Sequence, residues 1–193
     1  MEKKYELVKD GAIVIYSRIL YRIKALKDFS DVKKGDLGGY IEKEDNLSHK
    51  GNCWVYGNAI IRGNAKILDN AIVFGNARVY GNARVYGNAW VFDNADVFGN
   101  TVICGDAVIC SDAVISNDAI IASKSDYCTI SGFGPQSITT TFFKCKDGTI
   151  KVNCGCFDGT IDEFRKQVKE THGDSKYAKE YLMAADLAEL RLG

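Results

Sequence analysis

A phrase of six residues, repeated twelve times from Gly51 to Ala122 without insertion or deletion, constrains this chain more than any other feature. The hexads read GNCWVY, GNAIIR, GNAKIL, DNAIVF, GNARVY, GNARVY, GNAWVF, DNADVF, GNTVIC, GDAVIC, SDAVIS and NDAIIA. The fifth place is always Val or Ile, the second always Asn or Asp, and the third is Ala except at Cys53 and Thr101. An α-helix cannot keep a period of six with β-branched residues in every repeat and Gly-Asn between them. A short strand followed by a tight corner can. Places three and five then point one way and places four and six the other. Gly, Asp and Asn at the corner tolerate left-handed backbone angles. Three such units close one triangular coil of eighteen residues, so residues 51–122 predict four stacked coils. At ~4.8 Å per coil the stack is about 19 Å tall. Disorder is excluded, because disordered repeats do not keep an aliphatic residue at every sixth position.

Residues eighteen apart stack, so the outward columns follow directly. One face presents Trp54, Tyr56, Ile72, Phe74, Trp90, Phe92, Val108 and Cys110, all apolar or aromatic. The second carries Ile60, Arg62, Arg78, Tyr80, Asp96, Phe98, Val114 and Ser116, and the third Lys66, Leu68, Arg84, Tyr86, Val102, Cys104, Ile120 and Ala122. A contiguous apolar patch of this kind marks an interaction surface. The expectation is a homo-oligomer, a trimer or dimer, with Trp54, Tyr56, Phe74, Trp90 and Phe92 at the interface. The last coil is apolar on all three faces and calls for a cap.

The flanks differ in kind, giving a division into an N-terminal β segment (1–50), the repeat region (51–123) and a C-terminal α+β domain (124–193). In the first, "YELV" and "AIVIYSRILYRIKAL" predict strands about a turn at Lys9-Asp10-Gly11, and "GDLGGY" at 35–40 reads as a turn. "GDLGGY" lacks both the Lys-Ser/Thr of a phosphate loop and the context of a dinucleotide fingerprint. In the third, "SITTTFFKC" and "TIKVNCGCF" flank Lys146-Asp147-Gly148 as a hairpin. Thr160 and Glu163 form a capping box that opens a helix near 161–171. A break at "THGD" leads to a second helix from about Ser175 to Leu190, with Tyr177, Tyr181, Leu182, Ala185 and Leu190 as its buried stripe.

The hexads, above all "GNARVYGNARVYGNA", resemble the hexapeptide-repeat proteins, in particular their polymer-forming or YdcK-like branch. That resemblance implies a mainly β fold built on a left-handed parallel β-helix; the hand comes from the resemblance alone. The flanks "LYRIKAL…GDLGGYIE" and "VNCGCFDGT…THGDSKYAKEY" resemble phage- and prophage-encoded members of the group. For such members, sequestering a host nucleotide signal is one use the resemblance implies.

The activities of that family test poorly against these residues. A γ-class carbonic anhydrase needs three histidines on one metal, and the chain has two in all, His49 and His172, both outside the coils. An acyltransferase needs a histidine base in a cleft, which neither histidine's place in the sequence supplies, so acyltransfer stands as the alternative rather than the leading reading. Cys145, Cys154 and Cys156, with Cys128 or His172, suggest zinc, but the CxC spacing is not the usual CxxC knuckle. No metal and no cofactor are expected. In "SGFGPQSITTTFF", Gly132, Gly134, Ser137, Thr139, Thr140 and Thr141, with Lys144 nearby, have the composition of a backbone-lined anion pocket. Arg78 and Arg84 on the solenoid could hold phosphates of a nucleotide-like ligand. The alternative is a β-hairpin edge with threonines chosen for strand propensity.

Composition narrows the partners. Twenty-five Lys+Arg balance 25 Asp+Glu, against general nucleic-acid or membrane-surface binding. There is no apolar run long enough to cross a membrane and no signal-peptide core. Seven cysteines, an odd number without framework spacing, suit free thiols in a reducing compartment. The expectation is a cytoplasmic, non-catalytic, oligomeric protein that binds a small phosphorylated or nucleotide-like ligand, in host cytoplasm if phage-encoded. A structural or scaffold role is the third reading.

Overall fold

The computed structural model describes residues 2–193. Its centre is a parallel β-solenoid. Twelve two-residue rungs, β4 to β15, recur every six residues from Trp54–Val55 to Ile120–Ile121. Each rung pairs in parallel with the rung eighteen residues on, as Ile72 with Trp90 and Trp90 with Val108. Every residue at the third and fifth places of the hexads is fully buried, including the two exceptions to Ala, Cys53 and Thr101. Thr101 is tolerated there because its hydroxyl donates to the Phe98 carbonyl at 2.6 Å.

The corners explain the other places. The first residue of each hexad takes a left-handed φ, and four of the twelve are not glycine: Asp69, Asp93, Ser111 and Asn117. The two aspartates use their side chains to offset this strain. Asp69 accepts from the Gly87 amide and Asp93 from the Ser111 amide, each at 3.1 Å and one coil on. The second places form ladders along the corners: Asn64 donates to Asn82, Asn82 to Asn100 and Asn100 to Asp118. The other two ladders end the same way, Asn88 on Asp106 and Asn94 on Asp112. Each rung donates toward the C-terminus, so the last one need only accept, and there Asp replaces Asn.

The solenoid begins earlier than the hexads. Strand β3 (Leu37–Ile41) pairs in parallel with β5 (Ile60–Ile61), and Leu47 bridges to Ile67, giving about five turns in all. The sequence expectation of a turn at "GDLGGY" is therefore corrected. Gly38 and Gly39 lie inside the strand and are buried. A Cβ on Gly39 would sit 2.6 Å from the Ala59 carbonyl oxygen. Glycine is needed there for close approach and not for a bend.

The hairpin ahead of β3 also turns elsewhere than expected. Strand β1 (Tyr5–Ile15) runs straight through Lys9-Asp10-Gly11, where its register against β2 (Arg18–Ala25) shifts as a bulge. The reversal is at Tyr16-Ser17, with φ of 49° and 62°, a two-residue turn between paired Ile15 and Arg18. The hairpin joins β3, so one solenoid face continues as a seven-stranded sheet, β1-β2-β3-β5-β8-β11-β14, in which β8 is Arg78–Val79, β11 Asp96–Val97 and β14 Val114–Ile115. At this end Lys4 is buried, its ammonium donating to the Cys53 carbonyl at 2.7 Å and lying 5.0 Å from the Phe29 ring. Burial holds its pKa below the usual lysine value.

The C-terminal cap is a four-stranded antiparallel sheet, β16 (Tyr127–Ile130), β17 (Thr140–Lys144), β18 (Ile150–Cys154) and β19 (Phe157–Thr160). The expected hairpin is its central pair. One surface closes the solenoid: Phe143 and Cys145 join the solenoid core, and Ala119 bridges to Cys145. The last rung of the long sheet is met by side chains, as Thr141 Oγ1 accepts from the Val114 amide and Asn153 donates to Ser116. That meets one edge amide that would otherwise be free. The opposite surface carries helices α1 (Ile161–His172) and α2 (Lys176–Leu192), opened by the Thr160–Glu163 capping box and by Ser175. The stripe expected on α2 holds at Tyr181, Ala185 and the partly buried Leu182 and fails at Tyr177 and Leu190. Ala178, Tyr181, Ala184, Ala185, Ala188 and Leu192 are buried, while Tyr177 and Leu190 are exposed. The small alanine side chains let the helix lie close to α1 and the sheet, which bulkier residues on the same face would prevent.

Candidate functional site

A cleft of about 420 Å³ opens in the cap between the loop before β17, the tight β18–β19 turn and the two helices. Pro135, Gln136 and Ile138 form its roof, Cys154, Gly155 and Cys156 one end, and Gln167, Thr171 and His172 of α1 a wall. Its floor is aromatic. Phe157 and Phe164 have centroids 5.4 Å apart, Phe164 meets Tyr181 edge-on at 5.7 Å, and His172 stacks on Tyr181 at 5.7 Å. The volume and the mix of apolar walls with a few polar groups match small-molecule sites.

Local sequence builds each wall. Gly155, with φ of 61°, and Cys156 form a two-residue turn between paired Cys154 and Phe157. The capping box fixes where α1 starts, which sets Phe164, Gln167, Thr171 and His172 along its inner side. The roof is pinned, because Gly134 packs against the Tyr181 hydroxyl and its amide donates to Glu180 at 3.1 Å. Burial, and secondarily Cys154, pushes the Tyr181 pKa up to about 12. The Cys154 thiol accepts from Thr140 Oγ1 at 3.1 Å.

The structure disperses the residues singled out as an anion pocket. Thr140 faces the cleft side and Thr141 the solenoid, Ser131 and Thr139 share a 2.8 Å hydrogen bond, and the Gly134 amide is already taken by a carboxylate. Gly132 and Ser137 lie on the exposed loop and Lys144 at the end of β17; none of the three lines the cleft. Arg78 pairs with Asp96 at 3.0 Å, and Arg84 lies over Tyr86 on another face. Cys145 sits in the solenoid core, whereas Cys154 is at the far end of the hairpin, paired with Thr140. Among the described residues no group of three or more His, Cys, Asp and Glu is placed to hold a metal.

The histidines part company. His49 Nδ1 accepts from the Lys4 amide at 3.1 Å, Nε2 lies 2.7 Å from Glu44, and the ring stacks on Tyr5 at 4.4 Å. Both ring nitrogens are committed to closing the solenoid's first end. His172, by contrast, is held by ring stacking at the cleft. Of the cleft residues, His172 and the cysteines were singled out in the sequence for their chemistry, Tyr181 only as part of a buried stripe, and Pro135, Gln136 and Ile138 only as part of the stretch read as an anion pocket. The legible signal was the pairing of a Cys-Gly-Cys turn with a capped helix that ends at His172.

On the solenoid, the apolar face is partly covered by its own flanks. Phe29 lies edge-on to Trp54 at 5.3 Å, Tyr56 donates to Asp31, and Tyr127 donates to the Val108 carbonyl. Between these covers Phe74 stacks on Phe92 at 4.6 Å, and Trp90 is 46% exposed.

The chain matches no protein-family profile. It is similar to a protein of Escherichia coli (strain K12) named uncharacterized acetyltransferase YdcK. The two are 36% identical over 61 residues, covering 28% of this chain and 19% of that protein. The match spans about a fifth of the relative's length, and with the solenoid it fits a hexapeptide-repeat β-helix.

Proposed function

We propose that the protein is a non-catalytic binding protein: the solenoid is its scaffold and self-association surface, and the cap cleft holds a small ligand. The carrying observation is the cleft itself, preformed by a pinned roof and an aromatic floor. The engagement of both His49 ring nitrogens in closing the solenoid's first end supports the non-catalytic half, since neither is left to engage a substrate. The test is native mass spectrometry of protein purified from cells, which reads subunit number and retained ligand together. A retained small molecule lost in Ile138→Trp, which fills the cleft, is the expected result. Ligand-free wild type that gains no thermal stability from any compound of a broad metabolite set counts against it. Sequestration of a host signal is the use suggested by the likeness of the flanks to phage-encoded proteins.

For self-association, the exposed segment of the apolar column supports a homo-oligomer, a trimer or dimer, joined near Phe74, Trp90 and Phe92. Light scattering should give a mass above one subunit that falls in Trp90→Arg and Phe74→Arg. A monomeric wild type at about 100 micromolar, a concentration at which even weak pairs associate, defeats the assembly half alone.

A second reading, acetyl transfer, is favoured by the name of the E. coli relative and by the placement of His172 in the cleft. Turnover of acetyl-CoA that disappears in His172→Asn would establish it in place of the first.

A further inference from the structure

We propose that the cleft takes a planar, uncharged heteroaromatic ring bearing adjacent hydrogen-bond donor and acceptor groups on its edge, the class of purine bases and their nucleosides. This rests on the cleft being the ligand site. Three observations carry it.

The floor is a chain of four rings, Phe157–Phe164–Tyr181–His172, with successive centroids 5.4 to 5.7 Å apart and planes turned 58°, 84° and 30° from one another. Rings set at such angles offer a flat π-system both face and edge contacts, which add a geometry-dependent attraction to burial that a branched aliphatic chain does not gain. Gln136 of the roof and Gln167 of the wall, both exposed, line the cleft and carry primary amides. An amide offers one donor and one acceptor side by side, the arrangement that pairs with the edge of a purine. Gln167 Nε2 donates to Thr171 at 2.9 Å, which orients the amide on α1. Such a pair of amides discriminates ring edges in a way that a purely apolar pocket does not.

Charge decides between a base and a phosphorylated ligand. Among the described residues no Lys, Arg, Asp or Glu lines the cleft. The hollow next to it shares Phe157 and Gln167 and is lined by Asp158, Glu163 and Glu170 against the single cation Lys166. A phosphate emerging on that side would meet an excess of negative charge without the Arg or Lys fork that phosphate recognition uses. The site therefore selects the neutral nucleoside over the nucleotide, in contrast to the phosphorylated ligand that the sequence suggested.

The experiment is calorimetric titration of the full chain with adenosine, guanosine, AMP and indole as probes. Saturable binding of at least one nucleoside is expected, with AMP and indole each weaker by threefold or more. Gln136→Leu on the exposed loop and Gln167→Leu on α1 should each weaken the nucleoside at least tenfold with an unchanged melting temperature. AMP binding more tightly than adenosine overturns the neutral-ligand inference, and indole matching the nucleosides overturns reading by the amides. If neither nucleoside binds while native mass spectrometry finds another ligand lost in Ile138→Trp, the ring class is wrong and the cleft remains the site. If neither is found, both the class and the site fail.

Discussion

The solenoid and its C-terminal cap bury their cores by opposite means. In the solenoid each inward residue meets copies of its own environment eighteen residues away, so one hexad determines the burial of all. In the cap each contact occurs once: Phe142 against Phe164, Gly134 against Tyr181, Thr141 on Val114. Repetition makes a fold readable and uniform, while a cleft arises where elements of different kinds meet without filling the space. The two regions still share a core, because Phe143 and Cys145 belong to the solenoid's cluster.

The largest expected effect tests the repetitive half. Val79, fully buried in a central coil, should not tolerate Asp, since a buried unpaired carboxylate costs several kcal/mol. Val79→Asp is expected to abolish cooperative folding by circular dichroism and urea titration. Solid evidence against the inward frame would be a soluble mutant with a wild-type midpoint. Because coils contact only their neighbours, the damage should spread by loss of stacking on both sides.

Next in size is the place where repetition begins without its motif. Gly39→Val would put a Cβ 2.6 Å from the Ala59 carbonyl oxygen and 2.7 Å from Val55 Cγ1. That carbonyl accepts from the Tyr40 amide at 2.9 Å and cannot retreat freely. Overpacking of this sort costs about 1–3 kcal/mol, to be read from the urea midpoint. A neutral Gly39→Val would mean that β3 does not sit against the first full coil.

These two positions also mark how far the sequence could be read. Val79 declared its burial through the aliphatic fifth places of the other hexads, four before it and seven after. Gly39 did not, because a close backbone approach and a turn call for the same residue, and only the partner strand twenty residues away separates them. The hairpin reversal at Tyr16-Ser17 was hidden likewise, since Lys9-Asp10-Gly11 is better turn chemistry but is used for a bulge. In the cap the capping box fixed α1 to within a residue, yet the buried side of α2 depended on alanines docking against a sheet that no local pattern announces. The cleft was legible only in pieces, because its walls come from four segments that only the tertiary fold brings together.

Thr160→Ala sharpens the comparison at smaller cost. Thr160 accepts from the Glu163 amide at 3.3 Å, and the Glu163 carboxylate in turn accepts from the Thr160 amide at 2.8 Å. Losing such a cap costs about 1 kcal/mol. Hydrogen exchange should show α1 amides opening sooner while the central rungs keep their protection. Equal loss in both would mean that cap and solenoid open as one unit.

The smallest expected effect depends on pH. Asp96 is half-buried on the second solenoid face, and one carboxylate oxygen, Oδ1, is buried with no hydrogen-bond partner. Burial raises its pKa above the ordinary carboxylate value, with Arg78 opposing. The folded state therefore holds the Asp96 proton over a pH range where the unfolded chain, near ~3.9, has released it. The stability it contributes is present below that unfolded value and is lost as pH rises through the raised folded one. Other carboxylates run the opposite way: Glu44, held low by Lys3 and His49, and Glu163, held low by Thr160, lose stability as pH falls. Asp96→Asn removes only the first contribution. The exposed Arg78 loses a partner in the process, which costs little at a solvent-facing site. The variant should match or slightly exceed wild type at pH 7, by on the order of 0.5 kcal/mol, and lose that advantage toward pH 4. Urea midpoints of both proteins between pH 4 and 8 measure the difference, and an advantage for Asp96→Asn that grew on acidification would show that Arg78, rather than burial, governs this carboxylate.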